Sequence, residues 1–184
     1  MMKNRSRVAK MTLCALLAAM YVVLSSYLSI RITFIHITFA SLPVVLAAFL
    51  LGTGPAVLVA GLGEFIAQML IYGMGVSTML FTIPPMVRGL VVGLLAAALC
   101  KDTAIETKPL RMAGILMTGS IMTSLTTTAV LWIDSHLMGY YSFAVVFGAA
   151  IQRMITSLVT ASLITLICIP VLAALRRLPG TQHR

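Results

Sequence analysis

The sequence predicts an all-α membrane protein, a single integral-membrane domain over residues 1–184 built as a bundle of about six transmembrane helices. Three observations carry this. Apolar residues make up 60% of the chain, charged residues 9%, and the mean hydropathy is +1.08, whereas a soluble domain is about a quarter charged. The 13 Lys and Arg against 4 Asp and Glu, a net charge of +9, gather at the ends of apolar runs. That placement suits anchoring at an anionic leaflet rather than nucleic-acid binding. The apolar runs are long enough to cross about 30 Å of hydrocarbon.

The first span covers about Val8 to Ile30, behind Lys3, Arg5, Arg7 and Lys10. Its length and the lack of a small-residue cleavage site set it apart from a signal peptide. Arg31 to Ser41 alternates and is β-branched, so it reads as an extended or re-entrant segment at the outer surface. The second span, Leu42 to Leu51, is short and is expected inside the bundle, since non-regular backbone at membrane depth must be covered by protein. A turn at Gly52 to Pro55 leads into the third span, Ala56 to Tyr72. A glycine-rich outer loop, Gly73 to Ile83, precedes Pro84-Pro85, which open the fourth span, ending near Cys100. The loop Lys101 to Pro109 leads to the fifth span, Arg111 to Ile133, and Asp134 to Ser142 reads as an outer loop. The sixth span runs from Phe143 to Leu175, with Pro170 as an expected break. The basic loops fall on one side, so both termini are expected to be cytoplasmic, in the cell membrane.

Three ionisable residues lie within apolar spans: Glu64, Arg88 and Arg153. A charge at mid-membrane costs at least about 2.5–3.5 kcal/mol, so it normally faces a cavity or a partner. At 1.5 Å per residue, Glu64 lies near mid-membrane, and Arg88 and Arg153 lie about four and about ten residues below the outer surface. Glu64, Gln68 and Tyr72 share one helix face; Arg153, Ser157 and Thr160 form a second stripe, and Ser120, Thr123, Ser124, Thr127 and Thr128 a third. Two readings follow: a polar pocket with two guanidiniums for an anionic ligand group, or a Glu64–Arg pair with hydroxyls bonding helix to helix. Ala15 and Ala19, with Ala18, put small residues on one face of the first span, which lets another helix approach closely. The three cysteines and 13 methionines read as packing residues. His36 and His136 read as loop residues; no metal, Walker or nucleophile motif is present.

These residues resemble the substrate-binding S components of energy-coupling factor (ECF) transporters, and the folate-type branch most. The resemblance covers nearly the whole chain. It rests on Ile32-Thr33-Phe34, on Ser41-Leu42-Pro43-Val44-Val45-Leu46-Ala47 and on Leu51-Gly52-Thr53-Gly54-Pro55. Gly61-Leu62-Gly63-Glu64 and Arg88-Gly89-Leu90-Val91-Val92-Gly93-Leu94 complete it. The resemblance implies a binder of a folate-like or other anionic vitamin such as pantothenate, with no catalysis and no cofactor. It implies a transmembrane coupling subunit and two cytoplasmic ATPase subunits as partners, with Ala15 and Ala19 at the docking face. It also implies that the subunit topples in the bilayer to carry its ligand inward. Two other classes stay open on the residues alone: a free-standing secondary transporter using Glu64, and a membrane-embedded enzyme.

Overall fold

The computed structural model describes the backbone of residues 2–27, 29–32, 35–99, 109–148 and 150–177. Helix α1 (Met2–Tyr27) leads into an antiparallel hairpin, β1 (Ser29–Ile32) and β2 (Ile35–Thr38), in the register Ser29↔Thr38 to Ile32↔Ile35. Then follow α2 (Ser41–Leu50), α3 (Thr53–Tyr72), α4 (Val76–Phe81), α5 (Ile83–Leu99) and α6 (Pro109–Leu137), a π-helical turn (Ala144–Gly148), and α7 (Ala150–Arg177). Among the described residues, five helical segments are long and apolar enough to cross a membrane, and α2 is a shorter apolar helix.

The short α2 is the centre of the bundle. Val44, Val45, Leu46, Ala47 and Ala48 are all buried, and α2 is packed by α1, α3, α5 and α7. A ten-residue helix cannot span the hydrocarbon alone. Its neighbours cover it, as its length requires.

Glycine sets the spacing on the other side of α3. A methyl group built on Gly89 would lie 2.9 Å from the Ala56 carbonyl oxygen, and one on Gly93 would lie 2.7 Å from the Thr53 Cα. The pair is a small-xxx-small motif, and only hydrogen at both positions lets the α3 and α5 backbones meet this closely. Gly119 of α6 likewise faces the Val92 side chain of α5.

The segment expected to be extended or re-entrant is extended: its strands pair as an antiparallel hairpin, which satisfies backbone groups internally. Three other expectations are corrected in detail. The glycine-rich loop contains α4. Helix α6 runs on to Leu137, so Asp134 and His136 are helical. Pro170 lies inside a continuous α7, and the sixth span is interrupted instead at the π-helical turn near its start. The loop expected at 101–109 lies, apart from Pro109, outside the described residues.

The glycine contacts make a prediction. Gly89→Ala or Gly93→Ala should lower stability by about 1–3 kcal/mol, because backbone has to shift. Gly114→Ala, inside α6 with nothing within 4 Å of the new methyl, should leave stability unchanged or raise it by up to about 1 kcal/mol. Thermal unfolding in detergent measures both, and equal midpoints for all three variants would refute the close approach.

Candidate functional site

A cavity of about 520 Å³ opens at the end of the bundle where α1 and α3 finish and α5 begins. Its size falls in the range of about 300–1,000 Å³ usual for small-molecule sites. Tyr21 and Ser25 line it from α1, Ser41 and Val44 from α2, and Glu64, Gln68, Ile71 and Tyr72 from α3. Phe81 of α4, Pro84, Pro85 and Arg88 of α5, and Thr123 and Thr127 of α6 complete the wall.

Glu64 is the polar hub. Tyr21 donates its hydroxyl to one carboxylate oxygen at 2.6 Å, and the Gln68 amide donates to the other at 2.7 Å. Gln68 is in reach because it lies one turn along the same face. Tyr21 comes from 43 residues away, and its ring lies directly on Gly63, where a methyl group would sit 2.7 Å from ring carbons. The glycine before Glu64 is thus what lets the phenol reach the carboxylate.

Arg88 is held separately. Its Nε donates to the Thr123 hydroxyl at 3.1 Å, and its Nη1 donates to the Ser41 hydroxyl. Thr123 in turn donates to the Gly119 carbonyl at 2.7 Å. Among the described residues, therefore, the bonds of Glu64 and of Arg88 run to neutral partners and not to each other. The cavity carries one acidic and one basic side chain, Glu64 from α3 and Arg88 from α5, each fixed by hydrogen bonds, and Tyr21, Tyr72 and Phe81 also line it.

Of the residues singled out in the sequence, Glu64, Gln68, Tyr72 and Arg88 come together in this cavity. Arg153 and Ser157 are not in its lining. Arg153 donates to the Val146 carbonyl at 3.1 Å, at the π-helical turn, and Ser157 bonds Ser124 at 2.7 Å across α6 and α7. Most hydroxyls of the two Ser/Thr stripes are turned onto their own helix, as for Thr127 to Thr123 and Thr160 to Thr156. Tyr21, Ser25 and Phe81 were missed. A signal for the first two existed: Leu17, Tyr21 and Ser25 recur every four residues on one face of α1, where Leu17 and Tyr21 are buried. Ala15 and Ala19 are exposed on a different face of α1.

Beyond the cavity, at the end of α6, lies a second polar group. Ser77 donates to Asp134 Oδ1 at 2.6 Å, and Tyr140 donates to Asp134 Oδ2. Beside it, the His136 ring packs between Trp132 and Tyr141 in tilted contacts, with centroids 4.7 and 4.2 Å away. Among the described residues no cluster of three metal-ligating side chains occurs.

An apolar bundle with a polar cavity at one end defines the class: a membrane protein with room for a small molecule. Two solved structures share this fold. The S component for biotin from an ECF-type ABC transporter has a TM-score of 0.65 and 19% identity, over 97% of this chain and 96% of that one. The S component of a bacterial ECF transporter has a TM-score of 0.61 and 20% identity, over 93% and 99% of the two chains. No curated protein matches the chain at a significant level. Residues 5–177 match the family described as "ECF-type riboflavin transporter, S component", and the chain belongs to that family. It is a transporter subunit and not an enzyme.

The Tyr21–Glu64 bond generates a prediction for the site. Tyr21→Phe removes one donor from a part-buried carboxylate and should lower stability by about 1–3 kcal/mol. A thermal midpoint equal to that of the parent protein would show that Glu64 does not depend on the phenol.

Proposed function

We propose that this chain captures a riboflavin-like vitamin in the Tyr21–Glu64–Arg88 cavity and delivers it through a coupling subunit and two ATPases. The observation that carries the substrate class is one acidic and one basic side chain, each held by hydrogen bonds, in a cavity that three aromatic residues also line. A flavin suits this surface. It is a flat, uncharged ring system with an imide N–H, carbonyl acceptors and a hydroxylated chain. Glu64 accepts from an N–H, Arg88 donates to carbonyl oxygens, and Tyr21, Tyr72 and Phe81 offer faces for stacking. The family match points to the same vitamin. Arg has five donors; two are used by Thr123 and Ser41, so the guanidinium is oriented before a ligand arrives.

The folate-type reading of the sequence is the weaker one. Folate brings two carboxylates, and among the described residues Arg88 is the single cation in the cavity lining. A vitamin with one carboxylate, such as biotin or pantothenate, is the second reading, with the carboxylate on Arg88.

The cavity faces outward in this proposal. It lies at the end of α1 remote from Lys3, Arg5, Arg7 and Lys10, and an excess of basic residues marks the cytoplasmic side. The Ala15–Ala19 face then serves the coupling subunit. It is exposed and lies on a different side of α1 from Tyr21 and Ser25, and association in lipid depends on close packing of small residues.

Two predictions follow from this assignment. Arg88→Ala should weaken riboflavin binding by about 2–5 kcal/mol, while Arg153→Ala should change it by no more than about 0.5 kcal/mol. Quenching of flavin fluorescence reads both, and mass spectrometry of co-purifying ligand identifies the vitamin independently. The reverse order of effects would move the site to α7. Ala15→Trp or Ala19→Trp should keep riboflavin affinity and abolish both co-purification with the ATPase module and ATP-dependent uptake. Loss of binding in these variants would place the alanines in the core. Full uptake by the chain alone, driven by a pH gradient, would favour the free-standing transporter that uses Glu64.

A further inference from the structure

The chain has only four acidic residues. Asp134 is one of them, and it is 3% exposed. A buried carboxylate is costly unless its oxygens are bonded, and both are used: Oδ1 by Ser77 and Oδ2 by Tyr140. Tyr140 returns to the helix end through Gly139, whose φ of 75° makes the turn. The bond that Tyr140 donates to Asp134 holds its phenol above its ordinary pKa, with smaller contributions from burial and from the charge of Asp134.

Ser77 belongs to α4, which buries Thr78 and at its C-terminal end runs through the single residue Thr82 into α5. Helix α4 is six residues long and follows Gly73, at φ 79°, and Gly75. Its other side-chain bonds are local: Thr78 to the Gly73 carbonyl and Thr82 to the Thr78 carbonyl. Among the described residues, the bond to Asp134 is the side-chain hydrogen bond that ties α4 to α6. Phe81, which lines the cavity, lies one helical turn beyond Ser77 on the same face. Fixing Ser77 therefore fixes Phe81, and the chain on either side of α4 supplies Tyr72, Pro84 and Pro85 to the same cavity.

We propose that Asp134 is a positioning residue for ligand retention: by clasping Ser77 it holds α4 against the end of α6 and keeps Phe81 in the cavity wall. Asp134 does not touch the ligand. It acts through Ser77, and its charge strengthens the bond, since hydrogen bonds to ionised acceptors are the stronger kind. The clasp rests on the proposed vitamin cavity only for its effect on ligand release, because the ordering of α4 is a property of the free protein.

The test uses the full chain in lipid nanodiscs with Asp134→Leu, which has no acceptor, Ser77→Ala and Ser77→Thr. Deuterium exchange over residues 73–82, without ligand, should be about tenfold faster or more in the first two variants, the effect of one lost bond to a charged group. Exchange in α3 and α5 should be unchanged. Ser77→Thr keeps the hydroxyl and should behave as the parent protein. With riboflavin as the probe, dissociation should accelerate by a similar factor in Asp134→Leu and Ser77→Ala, with association unchanged. Unaltered exchange over 73–82 in Ser77→Ala overturns the clasp. So does an equal acceleration across all helices, which would make Asp134 a general stabiliser of the bundle. Loosened α4 with an unchanged riboflavin dissociation rate overturns its role in retention. Failure of the parent protein to bind riboflavin refutes the substrate reading, and the exchange at 73–82 then decides the clasp by itself.

Discussion

In a hydrocarbon environment a polar side chain has no water to fall back on, so one left without a partner is costly; among the described residues Ser26 Oγ is the buried side-chain atom that has none. This constraint orders the molecule. Glu64 is answered by Tyr21 and Gln68, Arg88 by Ser41 and Thr123, and Asp134 by Ser77 and Tyr140. In each case at least one partner comes from a distant helix or turn. The bonds that satisfy the charges are therefore also the ones that fix how α1, α2, α3, α4, α5 and α6 meet. Arg153 follows the same logic at the π-helical turn, where it meets the Val146 carbonyl.

Packing makes these bonds geometrically possible. Association in lipid gains nothing from hiding apolar surface, so close contact between helices has to come from small residues. Gly89 and Gly93 bring α5 onto α3, and Gly63 admits the Tyr21 ring. The buried α2 fills the middle. The polar cavity is what remains at one end of the bundle when glycine and alanine have drawn the helices together elsewhere.

Much of this was legible in the sequence. Hydropathy gave the spans, and the shortness of Leu42–Leu51 gave its central place, because a segment that cannot span must be covered. Three-and-four-residue spacing placed Glu64, Gln68 and Tyr72 on one face. The limits are equally physical. Tyr21 carries no charge, so it does not stand out in an apolar run, and its partner is 43 residues away. Depth along a helix was readable for Arg153, but the direction of its side chain was not, and it went to a carbonyl of the preceding turn. Helix α4 was hidden by its glycines, which end α3 and flank α4 without entering it. Pro170 signals a break locally, yet α7 continues through it; neighbouring groups commonly compensate for proline in membrane helices.

The aromatic cluster at the end of α6 has a practical side. Trp132 is the single tryptophan of the chain, two residues before Asp134 and in contact with the His136 ring. Excitation at the red edge of the tryptophan band, where the five tyrosines absorb little, thus interrogates one spot, at the end of α6 that carries the Ser77 bond. Changes in the colour or intensity of that emission report on this end of the helix, with no label added and no cysteine introduced.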